Sequence, residues 1–438
     1  MTKSSSHKSS MGHIALLISI YFTPEPGGGA RTAWNRALIL HKIGYTVFVI
    51  CGFPSYPTGR VIETTYRGKF FYVEKMNNFT LIRLRLLPLE SRGYLRRLIL
   101  YMNFIFLSFI WMPKILTISL KPQLVYALAP NMFSCIIGFV YAKVTKSFFI
   151  YEVSAFWPEE LVALRIRLYS IISLFGKPFA KLSYVLPDML VVISNSAAKY
   201  VANNYHPKVL IYTMPIGVDP DRYPSRTKES SRKELIQKNI LPAVLENKFI
   251  VLYAGVITKV TKVINLIYAA DKLKNNQNNI AFLIIGEGEE KESIEQFKSD
   301  NMINNLYLLP FQDAKWVPYI ISAADVCVVP LSPESIYETT LPTKFFDYLA
   351  CNKPQIGICG GELEELINTN KIGLTVKDGE IDRLVNVVLS LSNSPSLIDS
   401  MILNSGQLLS NFTLSRLSFN FDKALRKEIL IKNTRIKK

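Results

Sequence analysis

A series of short, unbroken apolar runs separated by stretches of helical periodicity sets the tightest limit on this chain. The first, Ile14-Ala15-Leu16-Leu17-Ile18-Ser19, leads through a glycine loop into an apolar-periodic helix and then into a second run at 45–50. Further runs stand at 80–84, 124–127, 148–151 and 189–193, and a second series at 249–253, 281–285, 306–309 and 326–329. Strands without polar alternation are buried on both faces, the condition of a parallel sheet covered by helices. The polar stretch 219–234, rich in Pro, Arg, Ser and Lys, parts the two series and reads as a linker. The expected fold class is therefore α/β, with two doubly wound domains in tandem and ligand above the carboxyl ends of the strands. A chain of 438 residues with 49% hydrophobic content is long enough for two cores. The expected divisions are a disordered, Ser/Lys-rich tail over 1–12 that lacks the apolar core of a secretory signal, a first domain over 13–218, the linker, a second domain over 235–405, and a closing helix over 406–438 that returns to the first domain.

Net charge of +17 and a pI near 9.5 point to an anionic partner: nucleic acid, an anionic membrane surface or a phosphorylated substrate. Nucleic acid is the weakest of the three, because the lysines and arginines are dispersed and no nucleic-acid module is present. The cysteines Cys51, Cys135, Cys327, Cys351 and Cys359 show no metal-ligand spacing and read as buried free thiols in a reducing compartment. Residues 98–112 are apolar all round and follow Arg92, Arg96 and Arg97. They are fewer than the roughly 20 a spanning helix needs, so a core or membrane-surface helix is expected. Its aromatic residues Phe104, Phe106, Phe109 and Trp111, with basic residues on its N-terminal side, suit shallow insertion against anionic headgroups.

Chemistry concentrates in the run from Thr339 to Pro354. It leaves the strand ending at Pro330, crosses a polar loop and enters a helix at about Thr343, just after Pro342. Unpaired N–H groups at that helix start favour an anion, Lys344 adds a cation beside it, and Asp347 one turn in can accept both hydroxyls of a ribose diol. Gly27, Gly28 and Gly29 after the first strand let backbone N–H groups approach a diphosphate or sugar without side-chain obstruction, although a plain tight loop has the same sequence. The dinucleotide fingerprint G-x-G-x-x-G is absent there.

Taken together, several motifs resemble the GT-B glycosyltransferases of family four. The run 339–354 is similar to a signature of two acids eight positions apart ahead of a small-residue helix; Asp347 falls on the second acid, while Thr339 stands at the first, with Glu338 beside it as a displaced alternative. The loop Gly52-Phe53-Pro54-Ser55-Tyr56-Pro57-Thr58-Gly59 and the loop Glu152-Val153-Ser154-Ala155-Phe156-Trp157-Pro158-Glu159 resemble a bacterial branch that includes the N-acetyl-L-fucosamine transferases of surface polysaccharide synthesis. Gly217-Val218-Asp219, Ala324-Asp325-Val326 and the Gly286-Glu287-Gly288 turn agree in order and spacing, so the resemblance runs from about 14 to 380. The chain departs from it in two places. Ser154 and Ala155 replace an arginine and an aspartate, and Val256 and Thr261 stand after Gly255 where the family touches the donor diphosphate, leaving Lys259 or Lys262 to substitute by a shift of register.

This resemblance implies a retaining transferase with two Rossmann-like domains facing a cleft, working by front-face attack without a metal or other cofactor. The donor would be a nucleoside-diphosphate sugar, most simply a UDP-linked N-acetylated sugar. The acceptor would be a polyprenyl-diphosphate-linked saccharide at the cytoplasmic face of the membrane, in O-antigen or capsule synthesis. Implied roles are charge neutralisation by Lys344, donor-sugar contact by Glu338 or Thr339, base contact along Phe311 and Gln312, and an acceptor side formed by Tyr56, Ala155, Trp157 and Glu159. The substitutions at Val256, Thr261 and Ala155 equally suit a degenerate homologue that acts as a scaffold or binding partner in polysaccharide assembly.

Overall fold

The computed structural model describes residues 13–436 apart from 26, 57, 62, 91–93, 130–132, 155, 157–158, 160–168, 276–278 and 335. The tail expected over 1–12 and the residues Arg92, Ala155 and Trp157 lie outside that set. Two compact units emerge. The first comprises 1–192, 204–212 and 417–438, and the second 193–203 and 213–416.

In the first unit the strands are β1 (Ile14–Ile18), β2 (Thr46–Gly52), β3 (Phe71–Met76), β4 (Phe79–Leu84), β5 (Leu124–Leu128), β6 (Phe148–Val153), β7 (Met189–Val192) and β8 (Leu210–Thr213). They form one sheet in the order β3-β4-β2-β1-β5-β6-β7-β8. Pairing is parallel from β4 to β7, and β3 runs antiparallel against β4. The central strands β1 and β5 are buried along their whole length, as continuous aliphatic sequence requires.

The second unit holds β9 (Phe249–Ala254), β10 (Ile280–Ile285), β11 (Leu306–Leu309), β12 (Val326–Pro330), β13 (Gln355–Ile358) and β14 (Gly373–Val376), all parallel in the order β11-β10-β9-β12-β13-β14. Strand order reverses between β9 and β12. The loops that leave those two strands therefore diverge and open a crevice at the carboxyl edge of the sheet, the point where open α/β sheets take ligand. Gly255 begins one of these loops, and the run to Thr343 forms the other.

Three sequence expectations change. The stretch 219–234 is not a plain linker: Thr227 caps a helix Lys228–Gln237 by accepting from Ser230 N. Arg232 on that helix is buried, donates to the Ala323 carbonyl at 2.8 Å and pairs with Asp325 at 2.7 Å. Its polar sequence reads as linker only because these charges are satisfied within the unit. The edge strands β3, β8 and β14, and β13 inside β14, are not marked in the sequence, since they are short, polar or interrupted by glycine.

The apolar stretch around 98–112 forms a helix Tyr94–Ile110, then a helix Met112–Ile118 bent 65° away. Among the described residues no single helix is long and apolar enough to cross a membrane. One face of the longer helix buries Leu100, Phe104 and Ser108, whose carbonyl accepts from Tyr141 Oη at 2.7 Å. The other face exposes Leu95, Ile99, Met102, Phe106 and Ile110, successive positions three or four residues apart on one stripe. Of the aromatics expected to face outward, Phe106 does so at 62% exposure, Phe104 is only 1% exposed, and Trp111 packs on Phe71 with ring centroids 4.8 Å apart. Cys51, Cys135, Cys327 and Cys359 are buried free thiols, and Cys351 is partly buried.

Candidate functional site

At the reversal of strand order in the second unit, the helix Thr343–Ala350 starts with Pro342 at its N-cap in extended conformation. Lys344 projects from its first turn toward the end of β9. Its Nζ donates to Tyr253 Oη at 2.8 Å and stands 3.9 Å from the centre of the Tyr253 ring. Gly255 makes room for it: with φ +151°, a Cβ at this position would lie 3.1 Å from Lys344 Nζ. One turn on, Tyr348 Oη accepts from Ala254 N at 3.0 Å and fastens the helix to the strand. Among the described residues no carboxylate lies within ion-pair reach of Lys344, and desolvation pushes its pKa down to about 7. A lysine held this way is, when protonated, a point charge at the positive end of a helix without a counter-ion among the described residues.

Around this amine the structure sorts the expected residues. Thr339 is buried and turns its hydroxyl to the Ile336 carbonyl at 2.6 Å, while its own carbonyl accepts from Ser194 Oγ, so it cannot serve as the first acid. Glu338 is exposed. Its side chain runs beside Gly360 and Gly361, where a Cβ on Gly360 would sit 2.8 Å from its Oε1. Asp347 is partly covered and accepts a hydrogen bond from Tyr223 Oη. Lys262 turns away, in the left-handed region at φ +46°, and faces Asp378 at 3.7 Å. Thr261 Oγ1 and Thr258 close a capping box on the turn Lys259–Thr261. Lys259 is exposed on that turn, and Val256 is 53% exposed beside Gly255. Neither Lys262 nor Thr261 therefore offers a free cation or donor for an anion, because each is already committed to a neighbour.

Further along the same strand ends, Phe311 is exposed and Gln312 donates to the Pro310 carbonyl at 3.0 Å. Gly286 and Gly288 serve packing: a Cβ on either would meet the carbonyl oxygen of Gly255 or of Ile257 at 1.9 Å.

The first unit places its motif residues by themselves. Gly27 is the N-cap, at φ +106°, of a helix Gly28–Lys42, so Gly28 and Gly29 lie in the first helical turn and not in a free loop. Glu25 accepts from Ser55 N and Tyr56 N, both at 3.0 Å, and from Phe22 N at 3.3 Å; burial raises its pKa against those bonds. It thereby stitches the loop after β1 to the loop after β2, and the Tyr21 and Tyr56 rings meet edge-on at 5.3 Å. Glu152 is fully buried, clamped by Arg36 at 2.7 and 2.9 Å and by Tyr126 Oη at 2.6 Å, which makes it part of the core. Glu159 accepts from Tyr205 Oη.

Sequence reasoning missed Tyr253, Tyr223 and Glu362. Tyr253 carried only a faint signal, a phenol near the end of a strand that also begins with an aromatic residue, Phe249. Glu362 accepts from Asn195 N at 3.1 Å and Ser196 N at 2.6 Å and so caps the helix Asn195–Tyr205, a partnership 167 residues apart that no local pattern announces.

Residues 236–407 match the model of the family described as glycosyl transferases group 1. The chain is 29% identical over 105 residues to WcaI of Escherichia coli K12, named as a glycosyl transferase of colanic acid biosynthesis; the match covers 24% of this chain and only 25% of that protein. Among solved structures it is similar to the sucrose-phosphate synthase of Thermosynechococcus elongatus, with TM-score 0.73 and 16% identity over 96% of this chain and 100% of that one. It is also similar to HepE of Anabaena in complex with UDP, with TM-score 0.66 and 15% identity over 95% of this chain and 100% of that one. The group 1 glycosyl transferase model thus matches the second unit, in a chain whose two parallel-sheet halves have the GT-B fold.

Proposed function

We propose that this chain transfers a sugar, with retention, from a UDP-linked donor, most simply of an N-acetylated sugar, to a lipid-linked saccharide in bacterial surface polysaccharide synthesis such as O-antigen or capsule. One observation carries the reading: the Lys344 amine, without a counter-ion among the described residues, at a helix start where strand order reverses. A diphosphate supplies the missing negative charge. HepE, whose fold this chain shares, is named in complex with UDP, and WcaI, its relative over 105 residues, is named for colanic acid biosynthesis.

In this reading the bond from the anomeric carbon to the diphosphate breaks, and negative charge grows on the departing oxygen. Lys344 and the N–H groups at the start of the helix Thr343–Ala350 stabilise that charge. The acceptor hydroxyl attacks from the face the diphosphate leaves and passes its proton to the departing phosphate oxygen. Glu338, exposed beside Gly360 and Gly361, touches the donor sugar, and Asp347 takes the ribose hydroxyls in place of the Tyr223 phenol. Tyr56 and Glu159, expected on the acceptor side, belong to the first unit. The apolar stripe Leu95, Ile99, Met102, Phe106 and Ile110, with Arg96 among it, suits peripheral attachment to an anionic leaflet on the cytoplasmic side, where a polyprenyl-linked acceptor lies.

The test is calorimetry with UDP, followed by UDP release from a panel of UDP-sugars in the presence of detergent extracts of bacterial membranes. Binding with release of UDP from one donor is expected; no binding of UDP or of other nucleoside diphosphates overturns the reading. A second reading, a homologue that binds the nucleotide but does not transfer, is favoured by the commitment of Lys262 to Asp378 and Thr261 to Thr258, which leaves Lys344 to meet the diphosphate. Binding without turnover on any donor would select it.

A further inference from the structure

Tyr253 plays a part that neither its strand nor the motif resemblance assigns. It is fully buried at the end of β9, yet its hydroxyl is not merely satisfied: it donates to the Val256 carbonyl at 2.6 Å. That bond uses its single proton and turns a lone pair toward Lys344, whose Nζ donates to it at 2.8 Å. The ring beneath adds a second attraction, with the Nζ 3.9 Å from its centre. Both contacts favour the ammonium over the neutral amine, and both fix where it points. Around the amine stand this phenol, the backbone of Gly255 and the Tyr348 hydroxyl bonded at Ala254, with no carboxylate within ion-pair reach among the described residues. A lysine on a four-carbon stem that lacks an anionic partner is otherwise free to turn toward water.

We propose that Tyr253 is the positioning residue of the site: it favours the charged form of the Lys344 amine and aims it across Gly255 before any nucleotide arrives, using the Val256 carbonyl to orient its own hydroxyl. The inference rests on the reading of this site as a diphosphate site. Tyr253 touches no substrate. It acts through Lys344, so its loss changes how that amine titrates and how tightly a diphosphate is held, while the strand around it stays packed.

Tyr253→Phe keeps the ring and removes the oxygen, and thermal unfolding checks that the variant folds. Two measurements are then made on the full chain. Competitive acetylation of lysines across pH, read by mass spectrometry at Lys344, reports the amine directly and needs no ligand. Calorimetry with UDP from pH 6 to 9 reports anion binding. In the wild type, UDP affinity is expected to fall as pH rises and the amine discharges. In Tyr253→Phe the pH at which Lys344 becomes reactive should drop by on the order of one unit, and UDP binding at neutral pH should weaken by about tenfold, the scale of one hydrogen bond to a charged group. Identical acetylation profiles overturn the proposal whatever UDP does. A shifted profile in a wild type that binds no UDP upholds Tyr253 as the holder of the amine and instead overturns the diphosphate reading on which its purpose rests.

Discussion

Tyr223 Oη donates to Oδ1 of Asp347, so the carboxylate proposed to hold a ribose already holds a phenol. The two residues come from different parts of the second unit, one just ahead of the helix Lys228–Gln237 and the other inside the helix Thr343–Ala350. A diol arriving there displaces that phenol, and the net gain is smaller than the bonds it forms.

That exchange has an opposite signature in two variants. We expect Asp347→Asn to weaken UDP binding at least tenfold, since bonds to a charged acceptor are worth about 1.5–3 kcal/mol each. Tyr223→Phe should tighten it a few fold, because the phenol need not be displaced. Calorimetry decides: equal weakening in both variants would make Tyr223 a nucleotide contact in its own right.

Lys344 is also expected to leave a mark on stability. Its pKa is lowered to about 7 in the folded chain, from 10.5 for an ordinary lysine. Between those values the unfolded chain binds more protons, so stability rises with pH through that window, and the full penalty is present below about pH 7. Lys344→Met should therefore stabilise the protein, by up to a few kcal/mol, at pH 6 and lose that advantage by about pH 10.5. Denaturant titrations at the two ends of the window measure it. An equal effect at both pH values would mean that Met gains by packing alone.

Core electrostatics in the first unit make a different demand. Glu152→Gln leaves Arg36 buried beside a neutral amide, and losing one partner of a buried ion pair destabilises by about 3–5 kcal/mol. A fall in melting temperature of the first unit is expected, with UDP binding by the second unit retained. A melting temperature equal to that of the wild type would show that water reaches Arg36.

The exposed stripe separates surface from core on a single helix. Phe106→Ser should reduce flotation with anionic liposomes and leave stability within about 0.5 kcal/mol, as for a surface change. Phe104→Ala, two residues away on the buried face, should destabilise by about 3–5 kcal/mol. Unchanged flotation of Phe106→Ser, combined with Met102→Ser, would remove the stripe from any membrane role.

Much of this was legible in the sequence because buried parallel strands write themselves as continuous aliphatic runs. β1, β2, β9, β10 and β12 were readable for that reason, as was the helix start at Thr343 marked by Pro342. β13 contains Gln355 and Gly357, and β14 begins at Gly373, so neither shows such a run. The candidate site was legible as a neighbourhood of chain and not as a set of orientations. A shift of one residue decides that Glu338 faces outward while Thr339 folds back on Ile336, and the pairing of Lys262 with Asp378 joins residues far apart in the chain. Tyr253 looked like one more strand residue because its contacts, Val256 and Lys344, depend on how two loops meet.

The first unit draws its parts from three stretches of chain, the last of them 417–438. Within it Phe421 packs edge-on against Tyr126 with ring centroids 6.4 Å apart, and Lys432 pairs with Asp188 at 2.6 Å. A ribosome delivers those residues only after the whole second unit. The strands of the first unit must therefore wait, incompletely covered, while the second is made, and a stop ahead of 417 strikes the unit whose strands were synthesised earlier.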